Sequence, residues 1–132
     1  MHEKQIEIRW RDLDPYRHVN NAVYATYLEE CRDELVDSVL DGIGDAWDYV
    51  LARVAIDYRR ELTQDDGSIV VRCGVERIGT SSITLREEIR TLSGELSAEA
   101  EAVLVASDQK TGRSRPLTEA ERAAFEHARL GS

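Results

Sequence analysis

The sequence predicts an α+β domain in which a curved antiparallel sheet of five strands wraps around one long central helix. Three observations lead there. Residues 4–11 alternate with a period of two, apolar positions from Asn21 onward recur at spacings of three and four, and residues 49–107 divide into strand-like runs separated by turns. One helix with an apolar stripe needs a surface to cover, and a sheet curved around it is the economical solution.

The first strand is read over residues 4–11, with Ile6, Ile8 and Trp10 on one face and Glu7, Arg9 and Arg11 on the other. Residues 12–20 break this alternation and contain Pro15, so they form a loop. From Asn21 the period lengthens: Tyr24, Leu28, Cys31, Leu35 and Val39 mark one helical stripe. Asn20 is a suitable N-cap, and Gly42 and Gly44 end the helix. It is about five turns long, roughly 30 Å.

Four strands follow. They are read over 49–62 (Val50, Ala52, Val54, Ile56, Tyr58), 68–77 (Ile69, Val71, Cys73, Val75), 82–91 (Ile83, Leu85, Ile89) and 96–107. Asp65-Asp66-Gly67, Gly79-Thr80-Ser81 and Ser93-Gly94 separate them as turns, which makes the runs antiparallel neighbours. Thr118-Glu119-Ala120-Glu121 has the capping-box pattern and opens a short C-terminal helix, about 118–129. The order is β-α-β-β-β-β-α, read as one domain over 1–132. Two open sheet edges favour pairing with a second copy, so a homodimer or homotetramer is expected.

Composition narrows the function. A chain of 132 residues, 42% hydrophobic and 33% charged, buries a core without staples. The net charge of −9 argues against a general nucleic-acid binder. The basic residues are nearly all arginine, which suits bidentate phosphate contacts, and only Lys4 and Lys110 are lysines. Cys31 and Cys73 lack metal-binding spacing and read as reduced core residues. Residues 1–5 lack the apolar run of a signal peptide, and no run spans a membrane, so the expected location is the cytoplasm.

The chemistry concentrates between Arg9 and Tyr24. Asp14, Pro15, His18, Asn20 and Asn21 fall just before the helix. A helix start exposes unpaired N–H groups and carries the positive end of the helix dipole, so it polarises a carbonyl. Asp14 and His18 are close enough in sequence to flank such a carbonyl, the arrangement an acyl-transfer hydrolase needs. Plainer readings stand beside this one. An Asp-Pro pair starts a turn, His18 serves as a structural hydrogen-bonding residue, and Tyr24 and Tyr27 form core or pocket wall. Cys31, well inside the helix, belongs to the core. Asp12-x-Asp14 does not mark a haloacid-dehalogenase-type phosphatase, because no βαβ unit is present, and Tyr16 and Arg17 break an EF-hand loop.

The segment Asp-Leu-Asp-Pro-Tyr-Arg-His-Val-Asn-Asn-Ala-Val-Tyr (residues 12–24), in this order of elements, resembles the hotdog-fold thioesterases, specifically the 4-hydroxybenzoyl-CoA thioesterase-like and acyl-ACP thioesterase groups. The resemblance runs from about Gln5 to Pro116. Residues 56–62 and the turn at 108–113 agree more weakly. It implies that Asp14 is the catalytic carboxylate, as nucleophile or general base, and that a backbone N–H near Asn21 is the oxyanion donor. It also pairs His18 with the histidine of the acyl-ACP group. Tyr16 stands where that group has an asparagine, and Arg17 or His18 where the 4-hydroxybenzoyl group often has a glycine.

The expected substrate contacts are Asn20, Tyr24, Arg59 and Arg60. The last two are read either as a solvated strand end or as ligands of the CoA phosphates, with Arg86 and Arg90 as further candidates. The implied function is an acyl-CoA thioesterase, with no metal or redox cofactor expected. The alternatives are an acyl-ACP thioesterase and a non-catalytic acyl-CoA-binding hotdog protein.

Overall fold

The computed structural model describes residues 1–131. Strand β1 (His2–Glu7) leads through a 3-10 turn (Trp10–Asp12) and a loop into helix α1 (Asn21–Leu40). Strands β2 (Tyr49–Tyr58), β3 (Ser68–Ile78), β4 (Ser82–Thr91) and β5 (Leu96–Ala106) follow, then helix α2 (Glu119–Ala128). All five strands join one sheet in the order β1-β3-β4-β5-β2, and every neighbouring pair is antiparallel. This is the hotdog arrangement expected from the sequence.

The stripe of α1 packs Tyr24, Tyr27, Leu28, Cys31 and Leu35 onto one face of the sheet. Val71, Cys73 and Val75 of β3, Ile83, Leu85 and Ile89 of β4, and Ala98 and Ala102 of β5 belong to the same core. Each fully buried leucine or isoleucine contributes about 1.5–3 kcal/mol relative to exposure. Gly74 permits one close approach: a Cβ there would lie 2.7 Å from Leu130 Cδ2, and Leu130 N–H donates to the Val75 carbonyl at 2.8 Å. The same core also buries two charges, Arg32 and Glu87.

Two strands are shorter than their alternation suggests. The first ends at Glu7 rather than Arg11, and Trp10 is 80% exposed instead of facing the core. The Asp12 carboxylate accepts from both the Arg9 backbone N–H and its guanidinium, which curls residues 10–12 into the 3-10 turn. The second ends at Tyr58 rather than residue 62, because the N–H groups of Arg59 and Arg60 both turn to the Ser97 carbonyl, at 2.8 and 3.0 Å. On β2 the register also shifts between Leu51 and Arg53. That bulge upsets the alternation, so Val50 lies exposed while Tyr49 is buried. No helix among the described residues is long and apolar enough to cross a membrane.

Candidate active site

The loop before α1 is tied down at its ends by Asp12. Its carboxylate is buried and accepts from the Tyr27 hydroxyl at 2.7 Å and from the Arg9 N–H at 2.9 Å. Burial pushes its carboxyl up, but the Arg9 N–H, the Tyr27 hydroxyl and the Arg9 guanidinium outweigh that and hold it below its ordinary value. The Asp12 carbonyl accepts from Asn20 N–H at 2.9 Å, so the two ends of the loop meet. Val19 N–H donates to the Leu62 carbonyl at 2.8 Å and binds the loop to the segment after β2.

Within this frame Asp14 is half-buried and organises a turn. Its Oδ1 accepts the N–H groups of Tyr16 (2.9 Å) and His18 (3.1 Å), while its own N–H donates to the His18 carbonyl at 2.8 Å. Oδ2 accepts no hydrogen bond among the described residues. Asp14 is thus a turn cap and an open carboxylate together. Arg17, at the tip, has φ of 66°, a left-handed conformation that costs a non-glycine residue about 1–2 kcal/mol.

Asn20 is the N-cap of α1, its side-chain oxygen accepting from Ala22 N–H at 2.9 Å. The Asn21 N–H, one position earlier, has no acceptor among the described residues. It is the free donor that a helix start offers to a developing oxyanion. Tyr58 hydroxyl donates to the Asn21 carbonyl at 3.2 Å. His18 Nε2 lies 3.3 Å from a Glu61 carboxylate oxygen. Tyr24 is buried with its ring edge-on to Tyr58, centroids 5.0 Å apart. Burial raises its phenol, and hydrogen bonds to Ser97 and to the Leu62 backbone offset part of that rise.

These residues share two adjoining hollows. One, of about 570 Å³, is lined by Asp14, His18, Asn20, Asn21 and Tyr24, with Tyr16, Val19 and Glu61. The other, of about 310 Å³, is lined by Asn21, Tyr24, Tyr58, Arg59, Arg60 and Glu61. All seven residues singled out in the sequence therefore border one continuous region. Tyr16, Tyr58 and Glu61 were not singled out for it. Glu61 falls inside the weakly matching segment 56–62, but nothing in its spacing announces that it meets His18.

The arginines expected at phosphates are already engaged. Arg59 pairs with Glu99 at 2.7 Å, and Arg60 with Asp66 at 3.1 Å and Glu95 at 2.8 Å. Arg86 pairs with Glu76 at 3.2 Å and Arg90 with Glu88 at 2.9 Å. Among the described residues, no group of three or more His, Cys, Asp or Glu side chains is placed to hold a metal ion.

The chain is similar to known proteins in sequence and in fold. The profile of the thioesterase-like superfamily matches residues 8–125. The long-chain acyl-CoA thioesterase FadM of Escherichia coli (strain K12) is 29% identical over 121 residues, covering 87% of this chain and 89% of that protein. A thioesterase from Thermus thermophilus, solved with coenzyme A and Zn, superposes with a TM-score of 0.85 at 30% identity, over 95% of this chain and 91% of its own. A protein from Bacillus stearothermophilus described as a predicted thioesterase gives 0.87 at 26% identity, over 98% and 97%. With the family profile spanning nearly the whole chain, and the hotdog sheet and helix around the loop, this protein belongs to the thioesterase-like superfamily.

Proposed function

We propose that the chain hydrolyses acyl-CoA thioesters to a free acid and coenzyme A, with Asp14 as the catalytic carboxylate. The observation that carries this reading is that an open Asp14 carboxylate and the unengaged Asn21 N–H belong to the same hollow. The Asn21 N–H stabilises the oxyanion as the carbonyl becomes tetrahedral, an effect worth a few kcal/mol. Asp14 either attacks the carbonyl, expelling the CoA thiolate and leaving an acyl-aspartyl anhydride for water to open, or takes a proton from the attacking water. Asn20 fixes the donor by capping the helix. His18, against Glu61, orients water or substrate beside the carboxylate. Tyr24 walls the hollow, and Arg59 and Arg60 border its extension.

The charge of the chain favours CoA over a carrier-protein substrate. Acyl carrier proteins are acidic, and a broad contact with a chain of net charge −9 meets repulsion. FadM is a long-chain acyl-CoA thioesterase, so long chains belong among the substrates tested first. The working unit is a homodimer or homotetramer in the cytoplasm, the whole chain serving as one hotdog unit. Its open β2 edge carries exposed Val50, Leu51 and Tyr58, a surface suited to a second copy.

The test is a panel of aromatic, short-chain and long-chain acyl-CoA esters, with matching acyl-ACP esters, followed by thiol release. Turnover of at least one CoA ester is expected, with Km rising with salt. Preference for the carrier-linked ester overturns the choice of CoA. Tight binding without turnover of either class identifies a binding protein instead. Light scattering that finds a fully active monomer removes the oligomer reading.

A further inference from the structure

We propose that a hollow beside the reaction site, framed by Trp10, Tyr16 and Arg17, seats the phosphorylated nucleotide end of the coenzyme A ester. This rests on the thioesterase reading above and assigns residues that the sequence did not single out for binding. The hollow measures about 470 Å³, and Tyr16 and His18 line both it and the hollow of Asp14. The two hollows therefore adjoin at Tyr16 and His18.

Three features suit a nucleotide. First, Trp10 and Tyr16 are 80% and 81% exposed, two large aromatic faces left in water within one loop. Flat π-faces beside a cation are what a purine base and its phosphates recognise. Secondly, the Trp10 platform is rigid, because the buried Asp12 holds the 3-10 turn that carries it through Arg9 and Tyr27. Thirdly, the Arg17 side chain forms no ion pair or hydrogen bond among the described residues, whereas Arg59, Arg60, Arg86 and Arg90 are all paired. A guanidinium with no partner in an acidic chain is available for phosphate.

The backbone adds weight to Arg17. A left-handed residue at this turn favours glycine, yet the chain places an arginine there. The turn itself holds this backbone, Arg17 N–H donating to the Asp14 carbonyl at 3.0 Å, but nothing among the described residues engages the side chain, which leaves the choice of an arginine there to a ligand outside the protein. Asp65, the one carboxylate on this lining, repels phosphate but accepts from the exocyclic amine of adenine, as does Gln64. Base and phosphate thus have separate places to bind.

The chain has two tryptophans, so a Trp47→Phe protein reports Trp10 alone. Titration with adenosine 3′,5′-bisphosphate is expected to give saturable quenching of its fluorescence, and Arg17→Gly, which relieves the backbone, is expected to weaken binding by about tenfold, the loss of one charge-assisted contact. In kinetics, the same variant is expected to lower selectivity for an acyl-CoA ester over the matching N-acetylcysteamine ester, which carries no nucleotide, by about tenfold through Km. Absence of quenching, or equal losses on both esters, overturns the assignment, the second outcome moving the hollow to the acyl or pantetheine part. If neither ester is hydrolysed, the thioesterase reading fails, and the bisphosphate titration still decides whether this hollow holds a nucleotide.

Discussion

Arg32 on α1 and Glu87 on β4 form a two-point ion pair inside the core, Nε and Nη2 each 2.8 Å from a carboxylate oxygen. Both side chains are almost fully buried, at 4% and 0% exposure. The pair joins the helix to the middle of the sheet by direction and charge rather than by apolar contact. Its attraction has to offset the desolvation of two ions, so the pair adds little net stability, while either partner left alone is expensive. Arg32→Met or Glu87→Leu alone is expected to cost about 3–5 kcal/mol in urea unfolding, and the two together much less. If the double variant loses as much as the sum of the singles, the ion pair is not what makes each partner necessary.

Asp14→Asn separates the two tasks of this residue. The amide oxygen still accepts from Tyr16 and His18 N–H, so the turn survives, but the nucleophilic or basic oxygen is gone. Circular dichroism and melting temperature are expected to stay close to those of the parent, with kcat on the best thioester down by about 10²–10⁴. His18→Ala is expected to reduce kcat less, since its ring meets Glu61 in a partly exposed position. Near-parental turnover by Asp14→Asn removes Asp14 from the chemistry.

The helix start was legible because two signals coincide there. The hydrophobic period changes at Asn21, and an asparagine just before it has an obvious cap role, which the Asn20–Ala22 hydrogen bond fulfils. The bounds of β4 fall at 82 and 91 as read, since tight turns flank a clean alternation. Trp10 misled because it continues the alternation by type, whereas the hydrogen bonds of Asp12 end the strand. Position 87 lies on the same face as Ile83, Leu85 and Ile89, so an inward charge was readable, but not its partner 55 residues away. The contacts of Glu61 with His18 and of Tyr58 with Asn21 are likewise made across the fold, where periodicity carries no information.

The two cysteines meet in the core. Cys31 Sγ lies 3.2 Å from Cys73 Sγ, both fully buried between α1 and β3. The neighbouring Cys31 thiol and burial both push the Cys73 thiol well above its ordinary value. Both side chains are fully buried from solvent, so neither residue is expected to react with an aromatic disulfide reagent in the native protein. Both are expected to react once the chain is unfolded in denaturant. A fast stoichiometric reaction before unfolding contradicts the packing of α1 on β3 at this point.

Acid should loosen the C-terminal helix before it unfolds the sheet. Glu121, in the first turn of α2, accepts from Tyr49 at 2.5 Å, from Arg115 at 2.7 and 3.0 Å, and from Thr118 N–H at 2.8 Å. Burial works against the carboxylate, but the Arg115 guanidinium, the Thr118 N–H and the Tyr49 hydroxyl together hold it down at about 2, from 4.5. A depressed native value means that the unfolded chain takes up the proton first. The contribution of this group is therefore complete above about pH 4.5 and disappears as pH falls toward 2, an effect of roughly 3 kcal/mol. Phe125, one turn along α2, packs edge-on against Tyr49 with centroids 5.8 Å apart, so protonation also loosens the seat of the helix. Thermal unfolding between pH 6 and pH 2.5 is expected to show a steep loss of stability in the parent. Glu121→Gln is expected to be less stable at pH 6 and to show a flatter acid limb, and two parallel curves would place the acid sensitivity elsewhere.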